Sequence, residues 1–173
     1  MGKSGVYGLH HWAYRCRDGE ETRHFYEDIL GLPLVYVITG ERVPSTNEDC
    51  PHAHLFFRMD DGSHLAFFDL GDDKITRHDP DTPEWVNHMA LLVPDQATMD
   101  RMKSRLLANG IDVLGPTDHP GGSSIYFFDP NGYRMEFTVR KDVGDYLERK
   151  ELSAHDDLAA WQNKKSVQNK IAA

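Results

Sequence analysis

Residues 123–139, SSIYFFDPNGYRMEFTV, decide the fold when they are laid over residues 53–70, AHLFFRMDDGSHLAFFDL. With Gly132 set on Gly62, Phe127 falls on Phe57 and Phe137 on Phe67. Both stretches alternate apolar and polar side chains with the period of two that marks a strand, and each is broken by a turn containing Asp and Gly. Each therefore reads as strand, tight turn, strand. In the second copy Met135, Phe137 and Val139 share one face, while Arg134, Glu136 and Thr138 share the other. A carboxylate in the middle of a strand otherwise built for a core is the anomaly to be explained.

The repeat extends upstream. HWAYRCRD (11–18) parallels HMALLVPD (88–95), each opening on His and ending on Asp before a helical pattern. The first helix is expected over residues 20–30, stopped by Gly31, and the second over 96–108, stopped by Asn109-Gly110. Asp18 and Asp95 stand where N-caps belong. Further strands are expected in LPLVYVIT (32–39) and IDVLG (111–115), and 41–52 reads as a surface loop. Each half thus reads as βαβββ. The chain is expected to be α+β, a single domain over 1–145, with module one at 8–70, a polar linker at 71–84 and module two at 85–140. The two tandem modules would form a half-open, mixed β-sheet barrel around a metal site, with the helices outside. Residues 146–173 read as a charged, partly helical C-terminal tail.

The chain has 173 residues and a formal net charge of -9, which argues against nucleic acid as a partner. No apolar run approaches the ~20 residues that span a bilayer, and the N-terminus lacks the apolar core of a signal peptide. Two cysteines, Cys16 and Cys50, read as reduced thiols of a cytoplasmic protein. Ten histidines are an excess that directs attention to metal or acid–base chemistry.

The repeat then locates a site. The shift that relates Gly62 to Gly132 sets Ala66 against Glu136, so the second half has a carboxylate where the first has a methyl group. His11 and His88 open the equivalent first strands. If the halves share a cleft, it holds two imidazoles and one carboxylate, a ligand set that leaves open positions and suits Fe(II) oxygenases. His10 is adjacent, but register with His88 selects His11.

At TDHPGGSSIYFFDPNGYRME (117–136) the chain resembles the type I extradiol ring-cleavage dioxygenases of the vicinal oxygen chelate superfamily, in their short, one-domain branch. Thr117, His119, Ile125, Tyr126, Asp129, Pro130, Gly132 and Glu136 fill the fixed places of that signature. The resemblance implies Fe(II), with Mn(II) an alternative, held by His11, His88 and Glu136. It implies a small aromatic diol and O2 as reactants, with His119 and Tyr126 hydrogen-bonding their oxygens. It also implies a catalytic His64, two residues before the place equivalent to Glu136. Homo-oligomerisation is expected because the open sheets have edges to protect. The same scaffold serves glyoxalases and epimerases, which usually take a fourth protein ligand where this chain has Ala66. It also serves fosfomycin-type transferases and non-catalytic ligand-binding proteins. WAYRC, LFF and IYFF suggest aromatic walls. Arg15 or Arg134 is a candidate to meet an acidic substituent, and either is equally readable as a surface charge.

Overall fold

The computed structural model describes residues 4–75 and 79–171. Residues 76–78 of the expected linker lie outside the described residues. Along the chain run β1 (His11–Cys16), α1 (Gly19–Arg23, continued by a π-helical stretch, His24–Ile29), β2 (Leu34–Arg42), β3 (Asp49–Arg58) and β4 (His64–Asp69). The second half supplies β5 (His88–Leu92), α2 (Gln96–Ala108), β6 (Leu114–His119), β7 (Gly122–Phe128) and β8 (Arg134–Arg140), followed by α3 (Tyr146–Ile171).

The strands form two four-stranded mixed sheets, ordered β1-β4-β3-β2 and β5-β8-β7-β6. In each, the first strand runs parallel to the last, which closes an antiparallel hairpin with the strand before it. The two ladders are in the same register. His11 pairs with His64 and Ala13 with Ala66 in one, as His88 pairs with Arg134 and Ala90 with Glu136 in the other. The expected duplication and α+β class are thus present. The two sheets share no ladder among the described residues, so no closed barrel forms.

Local chemistry explains most boundaries. The Asp18 carboxylate accepts from the Glu21 N–H at 2.7 Å and Asp95 from the Thr98 N–H at 2.7 Å, each capping the helix it precedes. The first helix departs from the expected 20–30 α-helix. It widens after Arg23, with the Leu30 N–H reaching the Phe25 carbonyl at 2.9 Å, and ends at Gly31 with φ +82°. The surface loop expected at 41–52 is mostly strand. β2 runs to Arg42 and β3 starts at Asp49, leaving only a short turn between them. The strand expected at 111–115 instead starts at Leu114 and carries His119 at its end. The tail forms one helix to Ile171. No helix among the described residues is long and apolar enough to cross a membrane.

One face of each sheet joins a common core. Leu55, Phe57, Leu65 and Phe67 from the first sheet are buried with Ile125, Phe127, Met135 and Phe137 from the second, together with Tyr26, Leu30, Met99 and Leu106 from the helical segments. Each fully buried large apolar side chain contributes roughly 1.5–3 kcal/mol.

The DPNG turn (129–132) ties the halves together. The Tyr26 hydroxyl donates to Asp129 Oδ2 at 2.9 Å, and the Arg17 N–H donates to Asn131 Oδ1 at 2.9 Å. Asn131 Nδ2 donates to Thr22 Oγ1 at 3.2 Å. Tyr133 stacks on Tyr14 at 4.1 Å, and its hydroxyl donates to the Arg15 carbonyl at 2.9 Å. Asp129 also accepts the backbone N–H groups of Asn131 and Tyr133 at 3.0 and 2.8 Å. Burial pushes its carboxyl pKa up, against the pull of these bonds.

Candidate metal centre

The other face of each sheet carries the site residues. On the second sheet the ladder sets His88, Arg134 and Phe128 in one row and Ala90, Glu136 and Tyr126 in the next. His88 Nε2 lies 3.1 Å from Glu136 Oε2, and Glu136 is buried. His88 Nδ1 lies 3.2 Å from the Val86 carbonyl. A carbonyl only accepts, so Nδ1 carries a proton and a neutral His88 turns the lone pair of Nε2 toward the carboxylate. Two acceptors this close need a positive charge between them, either a proton or a cation. Ligands at right angles with bonds of ~2.1–2.2 Å stand about 3 Å apart, so the pair also has the spacing of two metal ligands. The Nδ1–carbonyl bond is the usual outer support of a ligating imidazole.

Tyr126 lies between this pair and His119. Its hydroxyl is 2.7 Å from His119 Nε2, and its ring meets His88 edge-on with centroids 6.3 Å apart. Burial, then the nearby Glu136 charge, raise the phenol pKa.

On the first sheet, His11, Ala13, His64, Ala66, Phe68, His54, Phe56, Tyr36 and Ile38 share the corresponding face. His11 has His54 and Phe56 as ring neighbours, at 5.8 and 5.4 Å, and its Nδ1 is 2.7 Å from that of His10. His64 Nδ1 lies 3.3 Å from the His10 carbonyl, and the ring packs near Tyr36 and Phe56. Phe56 in turn stacks on Tyr36 at 4.3 Å.

The structure therefore brings His88 and Glu136 together, and His119 to Tyr126, all on one sheet. It sets His11 and His64 side by side on the other. The expected three-residue ligand set is not assembled within the chain: among the described residues, no three His, Cys, Asp or Glu side chains are grouped to hold a metal ion. A cleft of about 380 Å³ lies between the open edge strands, lined by Trp12, Tyr14 and Leu65 on one side and His88, Met89 and Leu91 on the other.

Residues 8–137 match the Glyoxalase/Bleomycin resistance protein/Dioxygenase superfamily. The chain belongs to that superfamily. It is 26% identical over 145 residues to the putative ring-cleaving dioxygenase MhqA of Bacillus subtilis (strain 168), an alignment that covers 82% of this chain but only 43% of the relative. It is 23% identical to a 2-epi-5-epi-valiolone epimerase of Actinomyces sp., across 94% of this chain and 95% of that protein. Among solved structures it resembles the fosfomycin resistance protein FosX of Mesorhizobium loti, with 25% identity, a TM-score of 0.55, and 83% and 97% of the two chains covered. These relatives are named for different activities: ring cleavage, epimerisation and fosfomycin resistance.

One residue escaped sequence reasoning. His54 stacks on Phe68 with ring centroids 3.7 Å apart, and its Nε2 is buried with no hydrogen-bond partner. Burial, then the neighbouring His11 and His52, lower its pKa from 6.5 to about 4. The available signal was the alternation His52, His54, Phe56, which puts all three on the site face. Arg15, one of the two candidates for an acidic substituent, is engaged elsewhere: it pairs with Asp72 and donates to the Lys74 carbonyl.

Proposed function

We propose that this protein is a metal-dependent dioxygenase that opens the ring of a catechol-type diol beside its two hydroxyl groups. The observation that supports this best is the His88–Glu136 pair at 3.1 Å, with the imidazole oriented through Nδ1 and Tyr126–His119 hydrogen-bonded next to it. The donor set of imidazole and carboxylate fits Fe(II) or Mn(II). His11 is the third ligand, supplied from the first sheet of a second copy. Three observations favour that origin. The ligand set is split between the two sheets. Both β1 and β5 are open edges. Trp12 and Leu92 on those edges, and Leu9 just before β1, are about half exposed. Members of the superfamily often act as homodimers on small molecules.

A metal held by His88, Glu136 and the second copy's His11 would supply Lewis-acid and redox chemistry to a diol and dioxygen. The chain's own groups do the rest. Tyr126 and His119 form a hydroxyl–imidazole pair that holds a substrate oxygen and passes a proton along one hydrogen bond. His64 Nε2, left free by the Nδ1–carbonyl bond, moves a second proton, which an imidazole does well at neutral pH. Tyr36, backed by the buried Phe56, and Phe68 offer apolar surface to an aromatic ring.

The test is to load the protein with Fe(II) without air, add a panel of catechols, then admit oxygen. A yellow ring-opened product is expected. Its absence with every catechol, in protein that has taken up one iron per chain, would refute the reading. A metal-dependent epimerase is the second reading, favoured by the near full-length match to the valiolone epimerase and weakened by Ala66 in the place of a fourth ligand. Turnover of a substrate without oxygen would select it.

A further inference from the structure

We infer that Arg134 is an anion-recognition residue of this site, so that the ligand carries a carboxylate close to the oxygens that bind the metal. This rests on the proposed site. Arg134 pairs with His88 across one ladder and with Phe128 across the other, and it stands two residues before Glu136 on the same face. Its side chain therefore belongs to the surface that holds the His88–Glu136 pair. The guanidinium carbon sits 4.6 Å from the centre of the Tyr126 ring. That cation–π contact holds the group beside the ring without using its N–H donors. Nε is buried and has no hydrogen-bond partner. Among the described residues Arg134 forms no ion pair, unlike Arg15, the other candidate.

A buried guanidinium N–H left unmatched is unfavourable, and more so than a neutral donor. Here the unfavourable group lies over an aromatic ring at the edge of a cleft of about 270 Å³, lined also by Pro83, Glu84, Asn87 and Phe128. A planar fork of donors, pre-oriented and unmatched, fits the two oxygens of a carboxylate. The acidic groups of the cleft do not fill that role. The Asp79 carboxylate accepts the Asp81 N–H at 3.0 Å and the Thr82 hydroxyl at 2.8 Å within its own turn. Glu84 lines the cleft without pairing to Arg134. With a net charge of -9 the protein's long-range field repels anions, so recognition depends on this short-range contact rather than on steering. The duplication sharpens the point, because His64 holds the equivalent place on the first sheet. One wall carries a proton-transfer group where the other carries a permanent cation.

The experiment compares 3,4-dihydroxybenzoate with catechol by titration calorimetry on the full-length, iron-loaded protein under nitrogen, and benzoate alone on the metal-free protein. Wild type is expected to bind 3,4-dihydroxybenzoate about tenfold or more tightly than catechol. Arg134→Gln is expected to lose that preference and the benzoate binding, and Arg134→Lys to recover part of both. Thermal unfolding of each variant confirms that it is folded. Equal affinities in wild type, or a preference that survives in Arg134→Gln, would overturn the inference. So would anion binding that emerges only in Glu84→Gln, since Arg134 is then the partner of that carboxylate. Benzoate binding that depends on Arg134, without ring opening of any catechol, would sink the dioxygenase reading and leave the anion site standing. Ring opening without a carboxylate preference would do the reverse.

Discussion

His54 shows what burial does to a titratable side chain. The native fold holds its imidazole neutral down to about pH 4, whereas the unfolded chain takes up a proton near pH 6.5. The unfolded state therefore binds more protons as pH falls between those values, and stability decreases in that window. The metal-free protein is expected to lose urea resistance from pH 7.5 to pH 4.5, and His54→Phe is expected to lose less over the same interval. Equal losses in both would show that the imidazole is not the source. Glu136 is the complementary case. Glu136→Ala is expected to fold, since the residue lies on the site face, and to retain less than about a tenth of the wild-type iron after dialysis. Unchanged iron content, measured by atomic absorption, would remove Glu136 from the ligand set. Glu136 was legible because the repeat set it against Ala66, a contrast that needs no structure. His54 has no such anomaly to announce it, because a histidine on a strand becomes conspicuous only when its nitrogen is seen to lack a partner.

The elements were legible where one face is buried. β3, β4, β7 and β8 alternate because their apolar side chains line a core. The far end of the β2–β3 hairpin, beyond Gly40, exposes most side chains on both faces and so carries no period-two signal. The same holds for much of β6, and α3, exposed along most of its described length, has little amphipathic pattern to read. The π-helical stretch keeps helical spacing of its apolar residues and is indistinguishable from an α-helix in sequence. Two substitutions test the elements that matter most. A Cβ on Gly122 would lie 2.2 Å from the Val139 carbonyl oxygen. Gly122→Ala is therefore expected to force β7 and β8 apart and to destabilise by about 1–3 kcal/mol. Tyr26→Phe removes the hydroxyl that meets Asp129 and is expected to cost about 1.5–3 kcal/mol. Chemical denaturation measures both, and a neutral result for Tyr26→Phe would show that the DPNG turn docks without that bond.

Across the whole molecule, period-two patterns specify each sheet but not how the sheets are placed relative to each other. For that reason the candidate residues and the module each belongs to were readable from the repeat, while the placement of the two site faces relative to each other was not. The shared-site proposal has a direct test. His11→Ala and Glu136→Ala are each expected to be inactive alone. Mixed, unfolded and refolded together, they are expected to regain about a quarter of wild-type activity. Random pairing makes about half the dimers mixed, and each mixed dimer has one intact site out of two. No recovery would place all three ligands on one chain.

The register of the two ladders has one more consequence. In β3, β4, β7 and β8 the residues facing the core have kept their character between the copies: Leu55 and Ile125, Phe57 and Phe127, Leu65 and Met135, Phe67 and Phe137. On the opposite face His11 and Ala13 recur as His88 and Ala90, while four other pairs differ: His54 and Ser124, Phe56 and Tyr126, His64 and Arg134, Ala66 and Glu136. Identical walls would make a pseudo-symmetric chamber in which a flat molecule fits equally well turned end for end. The differences at those four places remove that ambiguity, so a flat molecule held between the two faces would be expected to take one orientation, with different side chains at its two ends.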